Sequence, residues 1–342
     1  AIGTNALGSN VVGDRAVAVG YNALQAQAPV SNVDTYNVAI GLNSQFSTTT
    51  GVNNTAVGGS SLDQNTTGSS NVAIGKDALG ANTTAANNTA VGYASLTANT
   101  TGTLNTAVGH SSASALTTGT QNTVVGGNAG AITTGGNNTC LGIYTSGGAL
   151  STGDNNTGVG YASQFEITSG SNNTAIGMDS MRGTSPSGSI TTQSNLVCVG
   201  NNNVSAAYIK VAWTVTSDAR DKTDFTPLDL GLDFVKALQP ITYKWDMRSN
   251  YGDTTADDYD LNAQTPDGTH KEDWLDIGFK AQDVEALEIA AGYTKSSKTN
   301  LVSSYTPDGK QMGLKYDRFV PILVKAIQEQ QALIEALTAR IT

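Results

Sequence analysis

Ser217 and Lys222 are the residues of this sequence whose types and spacing could do chemistry. They stand five positions apart in the stretch Ser-Asp-Ala-Arg-Asp-Lys at 217–222. A serine can act as a nucleophile without histidine when a neighbouring lysine accepts its proton, which requires burial that lowers the lysine pKa. A serine nucleophile and a lysine base are therefore the smallest set of side chains with which this chain could cleave its own backbone. The alternative is that both are ordinary surface residues, as serine and lysine at this spacing usually are.

The stretch 217–222 lies where the composition changes. The 342 residues carry a net charge of −10. Residues 1–216 hold only 4 Lys or Arg and 7 Asp or Glu, whereas residues 217–342 hold the other 14 and 21. So low a charge density is unusual for a soluble globular domain but suits a regular β-fibre rich in Asn, Thr, Ser and Gly. We therefore predict two domains, a repetitive shaft over 1–216 and a charged globular segment over 217–342.

Residues 1–216 repeat with a period of about 17. The pattern Asn-x-small-aliphatic-Gly recurs with glycine spacings of 17, 17, 17, 17, 17, 16, 18 and 17, at Gly41, Gly58, Gly75, Gly92, Gly109, Gly126, Gly142, Gly160 and Gly177. Such a unit is too short for a pair of helices, and its Gly, Asn and Thr content disfavours helix. The fold class predicted is mostly β, with a β-solenoid or β-roll followed by a small α+β domain.

Alternation within each short strand predicts two faces. We expect the aliphatic residues to point into a core, and the alanines before them to face a closely packed neighbour. The aliphatic residues are Val57, Ile74, Val91, Val108, Val125 and Ile176, and the alanines are Ala56, Ala73, Ala90 and Ala107. One aliphatic residue per strand, with one leucine from the next segment, is a thin core for a single chain. The solenoid is therefore expected to close its core by oligomerising, as a homotrimer.

Cys140 and Cys198 occupy the slot of the repeat where alanine usually stands. We predict that both are small buried hydrophobic residues. A disulfide or a metal site would need partners that the sequence does not offer. No cofactor and no metal are expected.

The remaining pattern predicts a small α+β domain. A last strand of the shaft is expected over 209–215, running into Ser217. The polar stretch 248–273 is predicted to be a solvated loop, because its aspartates lack the spacing of a calcium-binding EF-hand. The other predicted elements are a helix over 228–238, strands at 241–245 and 277–281, a helix over 282–290, and a hairpin of 301–305 and 312–316.

The chain ends in a predicted helix over about 319–342 with an apolar seam. The seam positions are spaced by three and four throughout, at Val320, Leu323, Ile327, Gln330, Ile334, Leu337 and Ile341. This is the spacing of a coiled coil with one polar layer. β-Branched residues at a and leucine at d favour dimers, but three heptads are short and the shaft can override that preference. The alternative is an amphipathic helix packed on its own domain.

Several stretches resemble known families. The repeat Asn-Thr-Ala-Val-Gly-Tyr-x-Ser-Leu, with intervening Asn-Thr-Thr-Gly, is similar to the head repeats of trimeric autotransporter adhesins and to the shafts of phage tail fibres. Residues 217–342 resemble the self-cleaving intramolecular chaperone domain of phage endosialidases and tail fibres. The matching stretches, all in order, are Ser-Asp-x-Arg-x-Lys at 217–222, Pro-Ile-Thr-Tyr-Lys-Trp at 240–245, Gly-Phe-Lys-Ala-Gln-Asp-Val-Glu at 278–285 and Tyr-Asp-Arg-Phe-Val-Pro at 316–321.

The second resemblance implies a mechanism. Domains of that family assemble three chains, drive folding of the upstream fibre and are then released by autoproteolysis. Ser217 is then the nucleophile and Lys222 the base, with scission between Thr216 and Ser217. Asp218 and Arg220 are expected to position the loop. The chain is thus a candidate autoproteolytic serine endopeptidase that acts once on itself, and no other enzyme activity is expected.

The function favoured is structural and adhesive. The resemblance implies a tail fibre or tailspike of a virion, with other tail or baseplate proteins and a host cell-surface receptor, glycans included, as partners. A trimeric adhesin on a bacterial cell surface is an alternative, although such adhesins end in a membrane β-barrel. A glycan-cleaving tailspike needs two convergent carboxylates, and Glu166 is the only glutamate in 1–216; that region is then a non-catalytic shaft. Ice binding by threonine ladders is the weakest alternative.

Two classes of partner are not expected. An acidic chain without basic patches argues against nucleic-acid binding. Insertion into a membrane needs an apolar run of about 20 residues, and none is present in the sequence.

Overall fold

The computed structural model describes residues 1–29, 31–147, 152–253 and 259–341. The chain forms two compact units, Ala1–Asn203 and Val204–Thr342. The predicted domain boundary between residues 216 and 217 stays a prediction.

The first unit is a parallel β-solenoid, as predicted. Eleven short strands form one sheet in which each strand pairs in parallel with the next along the chain. Residues in the same slot of successive repeats lie side by side, as Ala56 does with Ala73. Strand β1 (Gly13–Asp14) pairs with β3 (Val33–Asp34), and the sheet contains β2 (Val17–Val19), β4 (Val38–Ile40), β5 (Thr55–Val57), β6 (Val72–Ile74), β7 (Thr89–Val91), β8 (Thr106–Val108), β9 (Thr123–Val125), β10 (Thr139–Leu141), β11 (Thr157–Val159), β12 (Thr174–Ile176) and β13 (Val197–Val199).

The prediction of which residues face the core is wrong. The alanines of the strands are fully buried, whereas Ile74 is 40% and Val108 is 36% exposed. The physical reason is that each coil sends a second side chain inward six residues after the alanine, such as Leu62 after Ala56, and the two pack in one cluster. The leucine fills the interior, so only a methyl group fits opposite it.

Two coils show that these positions share a fixed volume. Val124 replaces the inner alanine, and Gly130 stands six residues later; a Cβ there would lie 2.7 Å from a methyl carbon of Val124. The opposite exchange occurs where Gly158 is the inner residue and Gln164 follows six residues later, since a Cβ on Gly158 would lie 3.1 Å from the Gln164 Oε1. A larger residue in one slot is therefore matched by a smaller one in the other.

The asparagine that opens each repeat is buried and links successive coils. The backbone N–H of Asn105 donates to Oδ1 of Asn88 at 2.9 Å, and Nδ2 of Asn88 donates to the carbonyl of Gly102 at 2.8 Å. The same pair of bonds recurs along the shaft, which satisfies backbone groups that the turns leave buried. The ladder comprises Asn37, Asn54, Asn71, Asn88, Asn105, Asn122, Asn138, Asn156 and Asn173.

The repeated glycine is required by close approach of the coils. Gly109 has φ of +137°, and a Cβ on it would lie 2.5 Å from the carbonyl oxygen of Gly126. Any other residue would therefore push adjacent coils apart. The predicted burial of Cys140 and Cys198 is confirmed, and burial raises the pKa of the Cys140 thiol to about 11.

The second unit contains two small antiparallel sheets and three helices. Its core joins Leu230, Phe234, Val284, Val302 and Ile322. The predicted helices, strands and hairpin are present, most of them shorter than predicted, whereas the second helix begins one residue earlier and the strand predicted at 277–281 is shifted towards the N-terminus. Their bounds are α1 (Leu232–Ala237), β14 (Ile241–Tyr243) with β15 (Asp276–Gly278), α2 (Ala281–Ala290), β16 (Ser303–Tyr305) with β17 (Met312–Leu314), α3 (Phe319–Ile341), and 3-10 turns at Ala219–Asp221, Arg248–Asn250, Leu261–Ala263 and Tyr316–Arg318.

Two expectations for this unit need correction. The predicted strand over 209–215 does not form, and Val211 is 71% and Trp213 is 83% exposed. A strand needs a hydrogen-bonding neighbour, and the single chain offers none for this segment. The stretch predicted as a solvated loop includes a buried Leu261 in a short 3-10 turn. Residues 254–258 of that stretch lie outside the described residues.

Helix α3 has two apolar faces. Phe319, Ile322 and Ala326 are buried against the rest of the unit. The predicted coiled-coil seam is a different face and stays exposed, with Ile327 at 63% and Leu337 at 56%. The alternative of a helix packed on its own domain thus holds for the first turns but leaves the seam uncovered. Among the described residues, no helix is long and apolar enough to cross a membrane.

We predict that Asn88→Ala destabilises the shaft. The substitution leaves the N–H of Asn105 and the carbonyl of Gly102 buried without their partners, at a cost of about 1–3 kcal/mol for each unsatisfied group. Thermal unfolding followed by circular dichroism, at one protein concentration, should show a lower Tm. Thr84→Ala, an exposed position in the preceding coil, is the control. Equal Tm values for the two variants would contradict the role of the ladder.

Candidate self-cleavage site

The structure brings Ser217 and Lys222 together. The Nζ of Lys222 lies 2.6 Å from the Oγ of Ser217 and 3.3 Å from its carbonyl oxygen. A 3-10 turn at Ala219–Asp221 reverses the chain between them. The turn closes with the N–H of Lys222 donating to the carbonyl of Ala219 at 3.2 Å. A five-residue separation thus becomes a direct contact through local structure alone.

Asp218 and Arg220 fix this turn. The carboxylate of Asp218 caps the 3-10 turn by accepting the N–H of Arg220 at 2.9 Å. It also accepts from the Arg220 guanidinium, at 3.1 Å from Nε and 2.6 Å from Nη2. The guanidinium bonds, and then the backbone bond, hold the pKa of Asp218 below its ordinary value. Both side chains are therefore occupied with the loop, which is the arrangement expected of positioning residues.

The contact is open to solvent in the single chain. Thr216, Ser217 and Lys222 are all exposed. The lysine donates to the serine hydroxyl in this arrangement, whereas a base must accept its proton. Acting as a base requires removal of the ammonium from water. In the described residues, Lys222 is therefore close enough to Ser217 for proton transfer, but its ammonium group is not removed from water.

Two other titratable side chains, His270 and Glu166, are engaged elsewhere. His270 packs edge-on against Tyr251, with ring centroids 4.8 Å apart. Glu166 pairs with Arg182 at 3.7 Å and accepts a hydrogen bond from Ser189. Among the described residues, no group of three or more His, Cys, Asp or Glu side chains is arranged to hold a metal ion.

Glu288 is a functional residue of the domain that sequence reasoning missed. Its carboxylate is fully buried and accepts three backbone N–H groups, from Leu301 at 2.7 Å, Val302 at 2.6 Å and Ser303 at 2.9 Å. It thereby clamps the hairpin onto α2. The sequence feature that could have identified Glu288 is its position four residues after Val284, which places both side chains on the buried face of α2.

A second carboxylate joins the ends of the domain. Glu329 of α3 accepts the backbone N–H of Leu232, the first residue of α1, at 2.7 Å. Its pKa lies below the ordinary value because of this hydrogen bond, supported by Lys325. The helix that carries the coiled-coil seam is thus tied to the segment that follows the candidate cut.

Part of the chain that contains Ser217 and Lys222 matches a known family. Residues 217–293 match the family described as chaperone of endosialidase. The match begins at Ser217 and contains Asp218, Arg220 and Lys222, whereas Thr216 lies one residue before it. It implies that the C-terminal part has a chaperone role in the folding of a fibre or tailspike. No curated protein and no solved structure matches the chain.

We predict that Glu288→Gln destabilises the domain and changes its response to acid. Burial raises the pKa of Glu288, but the hydrogen bonds from Ser303, Val302 and Leu301 outweigh it, so the pKa lies below the ordinary value of 4.5. The carboxylate therefore stabilises the domain above about pH 4.5, and this contribution is lost as pH falls through the folded-state pKa. A glutamine cannot accept all three N–H groups, and we expect a loss of about 1.5–3 kcal/mol at pH 7.

Denaturant unfolding at pH 7 and at lower pH measures both effects. Glu335→Gln, an exposed position on α3, removes the same charge and serves as the control. The difference between Glu288→Gln and wild type should shrink as the pH falls. A difference that is independent of pH would refute the clamp.

Proposed function

We propose that this protein is the shaft of a viral tail fibre or tailspike that attaches to a host cell surface. Residues 217–342 are then a chaperone that trimerises and folds the shaft, and that cleaves itself off just before Ser217. The observation that carries the proposal is the order of the parts. A β-solenoid is followed directly by a segment, 217–293, that matches the chaperone of endosialidase family.

The shaft has physical reasons to need assistance. Its strands pair across coils in parallel, and contacts between separate segments form slowly because loop-closure entropy must be met first. Until the coils are complete, apolar surface and strand edges are open to aggregation. A folding domain that holds several chains together shortens that period.

The seam of α3 supports self-association. Its apolar residues, among them Leu323, Ile334 and Leu337, are exposed in the single chain. A bundle of such helices would bury them, and a polar layer at Gln330 would fix the register. Three chains joined in this way place three copies of residues 209–215 next to one another, where each segment has a neighbour for strand pairing.

The proposed cut is an acyl shift followed by hydrolysis. The Oγ of Ser217 attacks the carbonyl carbon of Thr216 while Lys222 takes the hydroxyl proton. The bond from that carbon to the nitrogen of Ser217 then breaks, and the nitrogen receives the proton. This leaves an ester between Thr216 and Ser217. Water hydrolyses the ester to a carboxylate on Thr216, a free hydroxyl on Ser217 and a new N-terminus.

We predict that residues 217–342 are needed to fold the shaft and are dispensable afterward. A gene truncated after Thr216 should give aggregated protein, because the shaft then lacks the domain that joins the chains. Limited proteolysis of the folded full chain should instead remove 217–342 and leave a shaft with unchanged circular dichroism. Soluble, folded shaft from the truncated gene would show that no chaperone is required.

We predict that Ser217→Ala and Lys222→Ala both abolish the cut. The first removes the nucleophile and the second removes the base, so each variant should give a single full-length mass and still trimerise. The folded wild-type protein should give fragments of 216 and 126 residues, the two parts of the 342. Ser205→Ala and Lys210→Ala, exposed residues upstream, are matched controls that should still be cut. Cleavage of Ser217→Ala at the same bond would exclude this nucleophile.

A further inference from the structure

The outer face of the solenoid sheet carries unbroken columns of uncharged residues. The third residue of each of the eleven strands is aliphatic and points away from the core. Ile40, Ile74, Val125 and Ile176 are 40%, 40%, 39% and 45% exposed. The first residue of each strand is on the same face and is always threonine or valine. The outward third residues are Val19, Ile40, Val57, Ile74, Val91, Val108, Val125, Leu141, Val159, Ile176 and Val199.

A further column lies beside these two. The residue after the repeated glycine is exposed and mostly large and apolar, at Tyr21, Leu42, Tyr93, Ile143, Tyr161 and Met178. Lys76 is the one lysine in these three columns; it pairs with its neighbour Asp77 and lies 5.5 Å from the centre of the Tyr93 ring. The face therefore joins an unbroken aliphatic column to a column of seven threonines and four valines, and to a mixed column that also holds Gly59, His110, Gly127 and Asn201. Such a face carries far fewer charged side chains than an ordinary protein surface.

The face is large enough for a stable interface. Eleven strands at a spacing of about 4.8 Å span roughly 48 Å. The three outward columns lie two residues apart along the chain, so at about 3.3 Å per residue they span roughly 13 Å. The product is about 600 Å² for one copy, so two copies would bury about 1,200 Å² in total, which is the lower end of the range for specific interfaces. Monomeric proteins rarely expose a continuous apolar patch of this size.

The repeat limits what can cover this face. A partner that contacts every strand equally must itself repeat with the same spacing along the rod. A globular protein has no such period, whereas another solenoid of this sequence has it by construction. Copies lying parallel and in register would place aliphatic columns against one another over all coils.

We infer that the outer face of this sheet is the surface along which copies of this chain pack side by side. The inference rests on the proposed function, because a fibre of associated chains provides the second copy. It also replaces the expectation that the alanines face a neighbouring chain, since those alanines lie inside the coil. The aliphatic residues assigned from the sequence to the interior are instead the contact surface.

Thiol labelling of the full-length chain tests this. Val108→Cys places a thiol on the outer face, and Thr101→Cys places one at an exposed position seven residues earlier in the same coil. The native Cys140 and Cys198 are buried, so the wild-type chain measures the background. We expect a maleimide to react at least about tenfold more slowly at position 108 than at 101, which corresponds to about 1.4 kcal/mol of protection. Light scattering gives the oligomeric state of each variant.

Charge substitution gives the second arm. Val91→Lys, Val108→Lys and Val125→Lys in one chain place three charges on the face, and Thr84→Lys, Thr101→Lys and Thr118→Lys place three at exposed positions in the same repeats. Ile74→Cys is added to both chains as the labelled residue. It should react slowly in the chain with the three control lysines, and at least about tenfold faster in the chain with the three lysines on the face.

Each outcome decides the matter. The inference is supported if the outer face labels slowly in an oligomer, and if the three lysines on the face speed this labelling whereas the three control lysines do not. A trimer in which Val108→Cys reacts as fast as Thr101→Cys overturns this interface and leaves the proposed trimer intact. A monomer that labels fast overturns both. A monomer that labels slowly shows that the chain covers its own face, which also overturns the inference.

Discussion

The structure depends on an interior that the inner residue of each strand shares with the residue six positions later. The inner residue of the strand and the residue six positions later face one another, and their sizes compensate, as Val124 with Gly130 and Gly158 with Gln164 show. This restricts the strand interior to alanine wherever leucine follows. The aliphatic residue next to the alanine then has no place but the outside. An open apolar face is thus a direct consequence of how the core is filled.

The hydrogen-bonded ladder makes this packing strictly periodic. Each buried asparagine accepts the N–H of the next asparagine in the ladder and donates to a carbonyl three residues before that one, as Asn88 does with Asn105 and Gly102, so neither coil tolerates a slip in register. Glycine at the strand end removes the side chain that would separate the coils. The outer columns inherit this regularity. A surface that repeats strand by strand matches another copy of itself better than it matches an aperiodic partner.

The sequence predicts the period, the strands and most elements of the second unit, because each has a local signal. It does not determine which side of a strand is buried, because alternation gives two faces without saying which is inside. The exchange of sizes between Val124 and Gly130 was the readable signal that alanine belongs inside. The contact of Ser217 with Lys222 follows from a tight local turn. The segment 209–215 has a strand pattern but forms no strand, because it has no hydrogen-bonded neighbouring strand among the described residues.

The outer face also gives a physical account of why a shaft would be made with a chaperone attached. Burying about 600 Å² is favourable by about 15 kcal/mol at 25 cal/mol per Å². Association costs about 4–15 kcal/mol in lost translational and rotational freedom. On the proposed function, a few completed coils would contribute too little to hold chains together, whereas the full length of the face would contribute several times more. A domain that joins the chains first raises their effective concentration and makes the later contacts intramolecular. If the coils pair between chains as we propose, that contribution would no longer be needed once all of them are paired, and a cut before Ser217 would not destabilise the fibre.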